Sequence, residues 1–325
     1  MTSSTVNTIA VTGANGFIGT ALCCYLVSRG YRVIGLVRNP ENLATRVAHE
    51  YRKVGDITPE TQWLQHLGDV DAIVHLAARV HVMEKEDTGD TGVYYRLNTQ
   101  ATMALARSAV KAGVKRFVYL SSIKVNGEAT GGKPFAAADI PDPKDDYGRS
   151  KAQAEQELME LASGSSIGVS VIRPPLVYGP GVKGNLERLC RILKKELPLP
   201  LGSTGNRRDM VSINNLNSLI ESCLVNEAAP GNVFLVSDGC PVSTTRLVRT
   251  LASAMGVRAR LFPVPRFLLM LAGTVSGRGE EVRRLTENLE VDISRTCEVL
   301  GWKPVDRFED ALRETVSSFS DRGIS

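Results

Sequence analysis

The sequence predicts an α/β fold, a doubly wound parallel sheet with a smaller α/β portion toward the C-terminus. Three observations predict it. Short runs that are apolar throughout alternate with helical patterns over the first half of the chain, which implies strands covered on both faces. The first run, Thr8-Ile9-Ala10-Val11, leads into Gly13, Gly16 and Gly19 at three-residue intervals and then into the helical apolar face Phe17, Ile18, Ala21 and Leu22. After Pro174-Pro175 the texture changes, and Pro, Gly and Asn punctuate shorter elements.

Each further element has its own signal. Residues 31–37 (YRVIGLV) read as a second strand, 52–56 as a short third and 71–77 (DAIVHLA) as a fourth. A long helix is expected over about 91–113, with Leu97, Ala101, Ala104, Leu105 and Ala109 on one side. Residues 116–121 (RFVYLS) form the fifth strand. A second long helix starts near Tyr147 and ends before Gly164, and 170–173 is a sixth strand stopped by two prolines. Short helices are expected near 185–195, 244–255 and 266–275, and a strand at 232–236 rejoins the sheet. Right-handed crossovers make such a sheet doubly wound. The expected units are 1–178, rejoined by about 209–240, and a smaller unit of 179–208 with 241–325.

The 325 residues are 43% hydrophobic and 23% charged, which suits a globular chain with ample core. The formal charge of +4 is mild, and no basic stripe interleaves with aromatics. Nucleic acid is therefore not an expected partner, whereas an anionic small substrate fits. Six cysteines form no C-x-x-C pair, and four histidines show no metal spacing with them. Neither a metal site nor a disulfide framework is expected, and free thiols suit a reducing cytoplasm. No basic segment followed by an apolar one precedes the first strand. The greasy stretch 267–275 is too short to span a bilayer, so no membrane insertion is expected and the stretch reads as a packed or interfacial helix.

In an open α/β sheet, ligands lie beyond the carboxyl ends of the strands. At the first of these ends, glycines permit positive φ and close approach, and the helix N-terminus suits a phosphate. Gly13, Gly16 and Gly19, with Phe17 and Ile18, therefore read as a dinucleotide pyrophosphate site. At the second strand end, Arg38 stands where a ribose-binding carboxylate would favour NAD; a guanidinium there suits a 2′-phosphate, so NADP(H) is expected ahead of NAD(H). Asp56, followed by Ile57, is placed to accept from an adenine amino group. Ser121 and Ser122 open from the fifth strand. Downstream, Tyr147 and Lys151 are four apart and share a helical face. A lysine charge beside a tyrosine lowers the phenol pKa and makes it a usable acid/base. There is no G-x-S-x-G elbow and no G-K-[ST] loop, so a serine hydrolase and a P-loop phosphotransferase are not indicated.

Several stretches occur together: Thr12-Gly13-x-x-Gly16-x-x-Gly19, Gly55-Asp56-Ile57, His75-Leu76-Ala77-Ala78, Asn98, Ser121-Ser122, Tyr147-x-x-x-Lys151, and Arg173-Pro174-Pro175-x-Val177-Tyr178-Gly179-Pro180. In that order and spacing the chain resembles the extended short-chain dehydrogenase/reductases, the Rossmann-type nucleotide-sugar epimerase/dehydratase superfamily. The resemblance implies that Ser122 orients substrate, Tyr147 is the acid/base, and Lys151 lowers the tyrosine pKa and holds the nicotinamide ribose. It adds Leu76, Ala77, Ala78, Asn98 and Pro174 to the cofactor contacts. It implies a UDP-sugar substrate met by Arg79, Lys124, Asn126, Asn185, Leu186 and Arg208, with Arg283 or Arg284 as the later arginine, and a homodimer through the helices around 91–113 and 147–163. Asp292 with Leu300-Gly301-Trp302 resembles the structural close of the fold. His81 and Met83 are candidates for the sugar pocket.

The stretches HLAARVHVM, SSIKVNGE and IRPPLVYGPGVKGN resemble a bacterial subgroup of that superfamily. Its members reduce the C4 ketone of UDP-4-keto-6-deoxy-N-acetylhexosamines, giving UDP-N-acetylquinovosamine or N-acetylfucosamine for O-antigen and capsule. The expected activity is therefore an NADPH-driven 4-ketoreductase. The alternative is a UDP-hexose or UDP-N-acetylhexosamine 4-epimerase holding NAD. A dehydratase is disfavoured because Ile123 and Lys124 stand where that branch places an Asp-Glu pair. A non-catalytic NADP-sensing protein is disfavoured because Tyr147 and Lys151 are both present.

Overall fold

The computed structural model describes residues 6–79 and 92–320. Nine strands occur among them: β1 (Thr8–Thr12), β2 (Arg32–Val37), β3 (Glu50–Lys53), β4 (Ala72–His75), β5 (Arg116–Leu120), β6 (Gly168–Arg173), β7 (Leu176–Tyr178), β8 (Met210–Ser212) and β9 (Asn232–Leu235). Seven of them form one parallel sheet in the order β3-β2-β1-β4-β5-β6-β9, and β7 pairs in parallel with β8 beside it. The order reverses between β1 and β4, which opens a crevice at their carboxyl ends.

The helices are α1 (Phe17–Ser28), α2 (Gly92–Tyr94), α3 (Ala101–Lys111), α4 (Asp146–Ser163), α5 (Asn185–Lys194), α6 (Ile213–Val225), α7 (Thr244–Ala254), α8 (Arg266–Val275), α9 (Gly279–Thr286), α10 (Ser294–Leu300) and α11 (Phe308–Ser320). Alternate residues of β1 serve opposite faces, which is why the strand is apolar throughout. Ile9 and Val11 join Leu22 and Leu26 of α1 and Leu216 and Leu219 of α6 on one face. Ala10 joins Leu105 of α3 and Leu158 of α4 on the other. A third core holds Leu186 of α5, Leu251 of α7 and Leu312 of α11 around Tyr178.

Three expectations change. The third strand ends at Lys53 rather than Asp56, because Gly55 turns the chain at φ +70°. The long helix expected over 91–113 is interrupted by a π-helical turn, Tyr95–Gln100, between α2 and α3. Apolar residues 267–275 do form α8, but only Gly273 of that helix is buried. Helix α6 was not anticipated: its opening Ile-Asn-Asn-Leu-Asn dilutes the apolar period, while Ser212 caps it by accepting from the Asn215 N–H at 3.0 Å.

Candidate active site

Strand β1 delivers its last residues into the crevice. Gly13 has φ +67°, and a Cβ there would lie 3.2 Å from the Ala77 backbone nitrogen. A Cβ on Gly19 would fall 2.1 Å from the Gly13 carbonyl oxygen, so α1 sits directly against the turn. The Gly16 N–H donates to that carbonyl at 2.9 Å and the Thr20 N–H to the Gly16 carbonyl at 2.9 Å, which opens α1 directly on the turn. Phe17 packs on the third core and Ile18 on the first.

Behind the turn runs a buried hydroxyl–imidazole chain. The Thr12 hydroxyl accepts from the Leu76 and Ala77 amides at 3.1 and 3.2 Å and meets His75 Nδ1 at 2.7 Å. Its remaining hydrogen therefore points at Nδ1. On the other side, the Thr102 hydroxyl donates to the Asn98 carbonyl at 2.7 Å and meets His75 Nε2 at 2.9 Å. Nε2 accordingly carries the ring proton. Burial, aided by the charge of Lys151, lowers the His75 pKa to about 3, so this chain stays neutral.

Asn98 lies in the π turn and is 1% exposed. Its amide brackets the Arg79 peptide, accepting from N–H at 2.8 Å and donating to C=O at 3.1 Å, and also donates to the Ser150 hydroxyl at 3.0 Å. Ser150 in turn donates to the Tyr147 carbonyl at 2.8 Å. One asparagine thus ties the segment after β4 to the first turn of α4.

Helix α4 begins with Asp145, which accepts from the Gly148 amide at 2.7 Å, and Lys124 pairs with Asp145 and with Glu128. Tyr147 hydrogen-bonds Ser122 at the end of β5. Lys151, 1% exposed, lies one turn further on; its Nζ donates to the Leu120 carbonyl at 2.8 Å and sits 6.0 Å from the Tyr147 ring centroid. Burial drags the Lys151 pKa down to about 7, partly opposed by Glu155. The Tyr147 pKa moves opposite to expectation, up to about 12, through burial and the Asp145 charge, with the Ser122 hydrogen bond pulling it down. A lysine that is only about half protonated at neutral pH is a weak lever on its neighbour.

Ser121 turns away from Tyr147. It bonds the buried Glu155 carboxylate, which pairs with Arg173 at 2.6 Å; Arg173 donates to Asn126 Oδ1 at 3.0 Å, and Asn126 donates to the Ala136 carbonyl at 2.9 Å. Asn126, expected at the substrate, has both ends of its amide engaged inside this network. Glu155 was missed in the sequence, although it lies one helical turn beyond Lys151 on the same inner face.

Arg38 and Asp56 meet in an exposed ion pair at 2.5 Å. Ile57 packs on the second core, Leu76 on the first, and the Pro174 carbonyl accepts from the Ile123 amide at 2.9 Å. Ala78 is half-buried and Arg79 exposed. Farther along, Asn185 is exposed at the start of α5, while Leu186 is buried in the third core. Arg208 donates to the Glu287 carbonyl at 3.0 Å; burial first, and the Arg284 charge against Glu287, lower its pKa. Asp292 accepts from the Ser294 amide at 2.9 Å, and the Trp302 indole N–H donates to Ser218 at 3.0 Å. His81 and Met83 lie outside the described residues. Among the described residues no group of three His, Cys, Asp or Glu side chains could hold a metal ion, and no helix is long and apolar enough to cross a membrane.

A glycine turn at the first βα junction of a doubly wound sheet, beside a tyrosine and lysine on one helix, describes the class of Rossmann-type dinucleotide enzymes. The chain belongs to the NAD dependent epimerase/dehydratase family, whose profile matches residues 9–236. A UDP-glucose 4-epimerase of Vibrio cholerae is 45% identical over 314 residues, covering 96% of this chain and 95% of that protein. The enzyme WbmG of Bordetella bronchiseptica, solved in complex with NAD, superposes with a TM-score of 0.77 at 21% identity, over 100% of this chain and 97% of that one. RMD from Pseudomonas aeruginosa, complexed with NADPH, gives 0.73 at 22% identity over 96% and 99%. At these identities the two structures speak for the fold.

Proposed function

We propose that the chain is a C4 oxidoreductase of UDP-sugars and that it runs as a 4-epimerase on a UDP-hexose or UDP-N-acetylhexosamine. The observation that carries the chemistry is the Ser122–Tyr147 hydrogen bond with Lys151 buried beneath it. The extensive likeness to the Vibrio cholerae UDP-glucose 4-epimerase moves the reading from the expected reductase to the epimerase.

The residues fit a dinucleotide. A Cβ at Gly13 or Gly19 would strike the backbone of the turn, so glycine at both lets α1 start tight against β1, and the first amides of a helix have no partner within it and suit a phosphate. Gly13, Gly16 and Gly19 would hold the pyrophosphate, Asp56 and Arg38 the adenosine end, and Lys151 the nicotinamide ribose. A dinucleotide held there would supply the hydride acceptor and donor for the sugar C4. Tyr147, entering the cycle as the phenolate, takes the C4 hydroxyl proton on Oη as the C–H bond breaks and gives it back as the C–H bond re-forms, so no net oxidation remains. Ser122 donates to the same sugar oxygen and holds it within reach of Tyr147. Lys151, once charged, favours the phenolate half of that cycle. Arg284, whose charge helps lower the Arg208 pKa, would share the UDP diphosphate with it, which favours Arg284 over Arg283 as the later arginine.

One observation favours the 4-ketoreductase as a second reading: β2 ends in Val37-Arg38 with no carboxylate, which suits an exchanging NADPH. A single preparation separates the two. For an epimerase, denatured protein releases NAD, and UDP-glucose and UDP-galactose interconvert without added cofactor. Oxidation of NADPH on a UDP-4-keto-6-deoxy-N-acetylhexosamine, with no interconversion, would select the reductase. In either case Tyr147→Phe should lower turnover by about 10²–10⁴ while dinucleotide affinity stays near wild type. A Tyr147→Phe enzyme with substantial turnover would remove the acid/base assignment.

A further inference from the structure

The apolar stretch 267–275 has no part in the chemistry above. It forms α8, whose Phe267, Leu271 and Val275 recur every fourth residue and are 69%, 60% and 83% exposed, with Leu268 alongside. Gly273, the one buried residue of the helix, lies about 200° around from Leu271 at 3.6 residues per turn. There it meets Val282 of α9, and a Cβ at Gly273 would stand 2.7 Å from Val282 Cγ2. The apolar stripe therefore points away from the helix that α8 packs on. Phe262, four residues before the helix, and Leu285, on α9, are also exposed.

The charge around the stripe has one sign in excess. Residues 258–284 carry six arginines against two glutamates, and Glu196 and Glu287 pair onto this group from outside it, which leaves the arginines in excess by two. Arg266 and Arg278 bracket α8, both exposed. Arg260 and Arg284 make exposed pairs with Glu196 and Glu280, and exposed Arg266 pairs with the half-buried Glu287, all at 3.2–3.4 Å and weak enough to exchange for other anions. An apolar stripe of one short helix, framed by arginines, suits an interfacial position rather than a spanning one.

We propose that the α8–α9 hairpin docks the protein on an anionic lipid surface, with Phe267, Leu271 and Val275 entering the headgroup boundary and Arg266 and Arg278 meeting lipid phosphates. The charge complementarity selects this occupant over an uncharged apolar one. The proposal is independent of the C4 reading, because binding is measured with no sugar present.

The experiment is co-sedimentation of the full chain with phosphatidylcholine vesicles, with and without phosphatidylglycerol, at low and high salt. The expected result is sedimentation with the anionic vesicles, at least about tenfold more than with phosphatidylcholine alone, and weakening with salt. The F267S/L271S double variant and the single Arg278→Glu variant, each altered only at exposed positions, should both lose most of it. Equal binding to the two vesicle types, or variants that bind like wild type, would overturn the proposal. So would a stripe that, in sedimentation velocity without lipid, joins two copies of the chain and is no longer available to vesicles.

Discussion

Lys151 links proton affinity to stability at the scale of one residue. Its pKa is about 7 in the fold, through burial, against 10.5 for an ordinary lysine. Between those values the unfolded chain binds the extra proton, so this group's contribution to stability rises with pH and is least favourable below about 7. The penalty is on the order of a few kcal/mol when fully expressed. Lys151→Met keeps the length and removes the charge. The variant should be inactive, and at pH 7 it should melt higher than wild type, with the gap closing toward pH 10. Thermal scans of both proteins across that range check it; a gap that does not change with pH would mean the lysine carries no such burden. His75, neutral down to about 3, does not intrude. The Tyr147–Lys151 spacing was legible in the sequence because four residues make one helical turn. The direction of the Tyr147 pKa was not, because it depends on burial and on Asp145, which only the folded chain brings to bear.

The glycine turn and α1 act as one element. At Gly19 a Cβ would meet backbone alone, 2.1 Å from the Gly13 oxygen and 2.8 Å from Ala14 Cα, so relief requires α1 to move off the turn. At Gly16 a Cβ would meet only the Gly13 oxygen, at 3.2 Å. Gly19→Ala should therefore weaken dinucleotide binding by at least about tenfold, and Gly16→Ala by less, since the amides that face a pyrophosphate shift with the helix. Titration calorimetry with NAD and NADPH reads this directly, and a Gly19→Ala protein with wild-type affinity for both would show that the cradle is not the binding element. The inner strands of the main sheet were legible because a strand buried on both faces is apolar, whereas the edge strand β3, Glu-Tyr-Arg-Lys with no buried residue, was misplaced. The pair β7–β8 and helix α6 were not, because their burial rests on distant partners. Tyr178 of β7 donates to Asp238 at 2.7 Å, a contact 60 residues away that no local pattern announces.

At the scale of the molecule, Asn215 joins parts that the sequence shows only as separate segments. It is fully buried on α6. Its amide nitrogen donates to Asp238 at 2.7 Å and to the Asp306 carbonyl at 3.3 Å, and its oxygen accepts from the Val305 and Asp306 amides at 2.6 and 2.8 Å. These bonds fix the segment between α10 and α11, and α11 supplies Leu312 and Phe319 to the third core. The third core is thereby coupled to the sheet through one side chain as well as through its own packing. Asn215→Ala takes a partner from the part-buried Val305 and Asp306 amides and from Asp238, whose oxygen keeps the Ser212 amide, a loss on the order of 1 kcal/mol per bond. Because the loss falls on the join and not within either core, its main effect should be on cooperativity. Wild type should melt in one calorimetric transition. Asn215→Ala should split it, with the third core melting first and the sheet close to its original temperature, and the UDP-sugar site should be lost with the first step while dinucleotide binding survives to the second. A variant that still melts in a single transition, merely lowered, would place the coupling in the apolar contacts around Tyr178 and Leu312 instead.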